Sequence, residues 1–142
     1  MALTQNIEQF YAFWNNKPVQ APLLGMDVAG WFPFERFSVL RSIKEDQYIE
    51  SSFMDPLACI GDYRLSMEQY TSISDDLVRS IAPIPALPWI EGMLGCPIKR
   101  KGQSFWAKEL FLPFEQLRSF DSITRSPWFS LYRAFVRALG AR

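Results

Sequence analysis

The chain has 142 residues, fifteen basic and fifteen acidic side chains that cancel, two cysteines and no histidine. This length fits a single domain, and 49% hydrophobic with 15% aromatic residues supplies a core, which excludes intrinsic disorder. Without histidine no Ser-His-Asp or Cys-His nucleophile pair can form within the chain, and Cys59 and Cys96 are too far apart in sequence for zinc-ligand spacing.

Leu3, Ile7, Phe10, Tyr11 and Trp14 recur at three- and four-residue steps and predict an amphipathic first helix, with Thr4 as N-cap and Asn15-Asn16-Lys17-Pro18 as its stop. Residues 21–28 are short and nearly all apolar, the pattern of a strand buried on both faces of a parallel sheet. An aromatic loop over 29–34 leads into a helical stretch at 35–40, and residues 42–53 read as irregular or as an edge strand. Asp55-Pro56 combines an N-cap acceptor with proline at the first helical position, which starts a helix running to about Tyr70. Residues 77–82 read as a second strand. Three prolines over 83–88 exclude a helix interior or a central strand, and a short helix then runs from Trp89 to a Gly95 C-cap. Lys99-Arg100-Lys101 reads as a solvated turn and 104–107 as a brief extended segment. Leu112-Pro113 starts a helix carrying Phe114, Leu117 and Phe120. Ser126-Pro127 caps a last one with Leu131, Phe135 and Leu139 on one stripe and Gly140 at its end. Helices alternating with about three short strands predict an α/β fold with a parallel sheet.

No Gly-rich phosphate loop or dinucleotide fingerprint is present. In parallel α/β folds the loops after the strands build the ligand crevice, which draws attention to Asp27 and Trp31 and to the segment holding Trp89 and Glu91. Asp27 can bind a substrate amine or hydroxyl, carry a proton, or simply cap a turn. Trp31 can stack on a flat ligand or fill the core. Glu91 falls in the first turn of a helix, where the dipole favours negative charge, and with Asp27 it could form an acid–base pair. Cys96, with no base near in sequence, reads as a small packed residue.

Zero net charge and a pI of about 6.3 leave no electrostatic footprint for nucleic acid. The first residues lack the basic head and apolar run of a signal peptide. The longest apolar run, 81–90, contains three prolines and falls well short of the roughly 20 residues that span a bilayer. Two cysteines without an evident partner suit a reducing compartment. The expectation is a cytoplasmic protein with neither nucleic-acid nor membrane partners.

Residues 85–97, Pro-Ala-Leu-Pro-Trp-Ile-Glu-Gly-Met-Leu-Gly-Cys-Pro, resemble the Ile-Pro-Trp-Met-Glu-Ala-x-Leu-Gly-Cys stretch of the uroporphyrinogen decarboxylase-like superfamily, whose relatives include cobalamin-dependent methyltransferases. Phe10-Tyr11-Ala12-Phe13-Trp14, Gly102-Gln103-Ser104-Phe105-Trp106-Ala107 and Ser126-Pro127-Trp128 resemble further landmarks. The resemblance implies a TIM-type (β/α)₈ barrel, which takes about 250 residues. Residues 1–142 would then be one truncated domain, the N-terminal part of a barrel with about three parallel strands and flanking helices. Asp27 and Trp31 stand where the decarboxylases carry the two arginines of Met-Arg-Gln-Ala-Gly-Arg, and the methyltransferase zinc ligands belong to the later half of the barrel. The implied protein is therefore not catalytically competent alone and holds no cofactor or metal within this chain. It offers a substrate-facing wall of Asp27, Trp31, Trp89 and Glu91, and a second copy or a complementing chain supplies the rest of the barrel. The alternative is a small α/β binding or interaction module for a flat apolar ligand such as a tetrapyrrole or corrinoid.

Overall fold

The sheet arises from the middle of the chain rather than from its two apolar runs. The computed structural model describes residues 2–19, 22–26, 32–73, 75–76, 80–111 and 120–140. Its strands are β1 (Tyr48–Ile49), β2 (Ile98–Lys101) and β3 (Ser104–Ala107), in the order β1-β2-β3, and both pairings are antiparallel. The expected parallel sheet of a partial barrel is thereby overturned: among the described residues no strand is parallel to another. Of the two predicted parallel strands, 22–26 and 80–82 have no regular structure, and the remainder of both runs lies outside the described residues. Backbone amides of Leu24 and Met26 donate to the carboxylates of Asp76 and Asp75 at 3.1 and 3.0 Å, and the Asp76 amide donates to the Leu24 carbonyl at 2.9 Å. Side-chain carboxylates thus bond amides that a sheet would pair along a ladder. Leu24 and Met26 remain exposed, so the run is not buried on both faces.

β2 and β3 form a hairpin closed by Gly102-Gln103, with Lys101 opposite Ser104. Gly102 has φ +60°, which the tight connection requires and which glycine adopts without steric cost. Lys99-Arg100-Lys101, expected as a solvated turn, is therefore strand. The ladder continues past both ends: Lys108 N–H donates to the Pro97 carbonyl at 2.8 Å, and Arg100 N–H to the Gln47 carbonyl at 3.0 Å.

The helices are α1 (Ala2–Trp14), α2 (Pro33–Arg36), α3 (Ile60–Thr71), α4 (Trp89–Leu94), α5 (Phe120–Thr124) and α6 (Pro127–Gly140), with 3₁₀ turns at Ser38–Ser42 and Ser51–Phe53. α1 begins ahead of Thr4, which lies within the helix rather than at its cap. Asp55 does not open α3. Its carboxylate accepts the Leu57 amide at 2.9 Å, which stabilises a local turn, and the helix starts at Ile60. α4 ends as the sequence predicts: Gly95 is left-handed at φ 96°, and the Cys96 amide returns to the Glu91 carbonyl at 2.9 Å. The hydroxyl of Ser126 accepts the Trp128 amide at 3.2 Å and caps α6. The helix predicted from Leu112 lies largely outside the described residues.

One core joins these elements. Phe34, Phe37, Leu40, Ile43, Ile49 and Ile98 meet Tyr63 of α3 and Trp128, Leu131 and Phe135 of α6, all at most 9% exposed. Phe37 packs edge-on against Tyr63, and the Phe34 ring lies tilted against Phe105. The Tyr63 hydroxyl, inside this core, donates to the Ala82 carbonyl at 2.9 Å. None of the described side chains of α1 belongs to it: Ile7, Tyr11 and Trp14 share a stripe, yet each is about half exposed or more. No described helix is long and apolar enough to cross a membrane.

Candidate functional site

Strand alternation decides what the sheet offers to solvent. Ile49, Ile98 and Phe105 point into the core, so their neighbours Tyr48, Lys99 and Trp106 point outward. The register sets those three directly opposite one another, Tyr48 beside Lys99 and Lys99 beside Trp106. The two aromatic residues thus sit two strand spacings apart, about 10 Å, with a lysine between them. Both are large apolar side chains left half exposed, Tyr48 at 54% and Trp106 at 51%. Beside the row lies a cleft of about 550 Å³ lined by Tyr48, Lys99, Trp106, Lys108, Glu109 and Phe111. That volume lies within the range of small-molecule sites.

The lysines play different parts. Lys99 is held by Asp46, its ammonium 2.5 Å from the carboxylate. The hydrogen bond from Lys99, reinforced by its charge, holds the Asp46 carboxyl below the usual carboxylate range, and the same bond raises Lys99. Lys101 lies over the Trp106 ring, its ammonium 4.2 Å from the centroid. Lys108, two residues beyond Trp106 on the same face, lines the cleft without an ion pair among the described residues.

Arg100 occupies the opposite face. Its guanidinium stacks 4.4 Å above Phe34, donates to the Ile43 carbonyl at 2.6 Å and reaches the Gly102 carbonyl at 3.0 Å. Glu45 accepts the Gly102 amide at 2.9 Å and approaches Arg100 at 3.8 Å. These bonds fix the hairpin from beneath and leave its outer face to solvent.

Of the residues singled out in sequence, Trp89 and Glu91 lie elsewhere. Asp27 and Trp31 fall outside the described residues. Trp89 opens α4 and is half-buried, with its indole N–H donating to the Ile84 carbonyl at 3.1 Å and its ring edge-on to Trp128, Tyr132 and Phe135. Glu91 is exposed two residues further along α4, and residues so spaced do not share a helix face. The structure therefore does not bring Trp89 and Glu91 to one wall. A second cleft, about 360 Å³, lies between β1, the end of α4 and the start of α6, where it meets Cys96, Glu50 and Ser126. Burial there, and then the Glu91 charge, raise the Cys96 thiol above its ordinary value. Burial pushes the Cys59 thiol up to about 12.

Sequence reasoning missed Tyr48, Trp106, Lys108 and Phe111. The available signal was period-two alternation across 104–108, with Phe105 and Ala107 inward and Trp106 and Lys108 outward. Among the described residues no group of three or more histidine, cysteine, aspartate or glutamate side chains could hold a metal ion. No protein-family model, curated protein or solved structure matches the chain.

Proposed function

We propose that the chain is a small binding module that holds a flat aromatic ligand on the outer face of its sheet. The antiparallel sheet offers no rim of parallel strand ends for a barrel-type site, so the binding module is the better supported of the two expectations. The observation that carries it is the cross-strand row Tyr48–Lys99–Trp106, two half-exposed rings flanking a pinned lysine beside a cleft of about 550 Å³. Exposed rings on a rigid strand lose little conformational entropy when a planar ligand stacks on them, and indole provides the larger stacking surface. Asp46 keeps Lys99 down and shapes the floor between the rings. A tetrapyrrole is a suitable first probe because its breadth is comparable to the ring spacing. Both cysteines are free thiols, which supports a reducing, cytoplasmic setting.

Titration with a free-base porphyrin, read by quenching of tryptophan emission, tests this function. Saturable quenching is expected for the parent chain and for Trp14→Phe, and strongly weakened binding for Trp106→Ala and Tyr48→Ala, each with unchanged circular dichroism. Porphyrin affinity that survives the loss of both rings would refute a sheet-face site.

A further inference from the structure

We infer that the ligand of this face is an acid, with Lys108 and Lys101 supplying the charge that selects it; this rests on the flat-ligand function proposed above. Trp106 has lysines on three sides: Lys99 directly across the ladder, Lys101 over its ring, and Lys108 two residues along β3 and its extension. Residues two apart on a strand are separated by about 7 Å on one face, so an acid group joined closely to a stacked ring reaches Lys108 without leaving Trp106. The three ammonium groups are not equivalent. Asp46 neutralises Lys99, whereas Lys101 and Lys108 make no ion pair among the described residues. With Asp46 and Glu109 set against the three lysines, the face keeps an excess of one positive charge in a chain that is neutral as a whole. Glu109 also lines the cleft and opposes an anion, which makes its removal informative. An ammonium attracts carboxylate and phosphate alike, so the class is a planar aromatic acid of either kind.

Three probes with one aromatic body and different charge separate this inference from the function beneath it: 1-pyrenebutyrate, 1-pyrenebutanol and 1-pyrenebutylamine, each followed by energy transfer from tryptophan to pyrene. The acid should bind tighter than the alcohol and the alcohol tighter than the amine, with the differences closing as salt is raised. Lys108→Gln and Lys101→Gln should each weaken the acid about two- to fivefold relative to the alcohol, the range expected for exposed charge pairs. Glu109→Gln should tighten the acid. Equal affinity for acid and alcohol, both lost in Trp106→Ala, would overturn the acid inference and leave the flat-ligand function standing. Equal affinities that persist in Trp106→Ala, or no binding of any probe, would overturn both. Parallel titrations with 1-pyrenyl phosphate and 1-pyrenecarboxylate then distinguish the two acid types.

Discussion

Gly92 allows a sharp test of how tightly α4 is seated. A β-carbon built there would lie 2.9 Å from Ile98 Cδ1 and 3.0 Å from Cγ and Cδ2 of the Trp128 ring. The Ile98 methyl is the end of a flexible chain and can yield. The Trp128 ring cannot, since it is 9% exposed and wedged against Trp89. In an open helix, replacing glycine by alanine stabilises by up to about 1 kcal/mol. Overpacking of this kind costs about 1–3 kcal/mol, which set against that gain leaves an expected net loss of up to about 2 kcal/mol for Gly92→Ala. Gly61 of α3 is the internal control, because a β-carbon there meets nothing within 4 Å. Gly61→Ala should gain about 0.5–1 kcal/mol. Urea unfolding of the two variants should therefore shift the midpoint in opposite directions, Gly92→Ala downward by up to about 1 M for a slope near 2 kcal/mol/M. If Gly92→Ala were as stable as Gly61→Ala, the close approach of α4 to α6 described above would be wrong.

Further outcomes concern the cap of α6 and the thiols. Ser126→Ala removes the acceptor of the Trp128 amide and should cost about 1 kcal/mol in the same unfolding assay, with Ser126→Asp restoring most of it. With a thiol-specific chromogenic disulfide at pH 8, one equivalent should react in the native chain, at Cys96, and Cys59, which is completely buried, only after denaturation. Glu91→Gln should accelerate the Cys96 reaction by removing a charge that disfavours its thiolate. The Cys59 thiol is raised in the fold, so above about pH 9 the unfolded chain loses a proton that the native chain keeps. Stability should then fall from about pH 9 towards 12, and Cys59→Ala should flatten that decline. A pH profile unchanged by the substitution would refute this role for burial.

Helices were legible where their ends are written in local chemistry, whereas Thr4 and Asp55, expected as caps, do not open α1 and α3. Ser126-Pro127 opens α6 and Gly95 closes α4 where capping rules put them. Of the strands, β3 was legible as the extended segment at 104–107, and β1 falls in the stretch read as irregular or as an edge strand, but β2 and the antiparallel pairing were not, for two physical reasons. Apolar continuity at 21–28 suggested burial on both faces, but the described part of that run is held by two aspartates through its backbone while its large side chains face solvent. The real hairpin was hidden by Arg100: its inward, stacked guanidinium breaks the apolar alternation that would have marked β2. The same concealment affected the site. Lys99 and Lys101 read as two-thirds of a charged turn, whereas an inward Arg100 makes them neighbours on one face with Trp106. Nothing in composition distinguishes those two arrangements.

The sheet also dictates an order of assembly. β2 and β3 are joined by a two-residue turn and can zip within about 1–10 μs. β1 meets β2 only after a long loop closes, the Asp46–Lys99 bond spanning 53 positions. Closing such a loop costs about 2 kcal/mol more than closing the hairpin, because loop entropy grows with the logarithm of length. β1 contributes just two residues to the pairing, too little to offset that cost alone, so its docking must wait for Ile49 to find the core formed by Ile98 and its neighbours. The last residue of the outer sheet face expected to dock is therefore Tyr48, and a kinetic probe at that ring should report a later step of folding than one at Trp106.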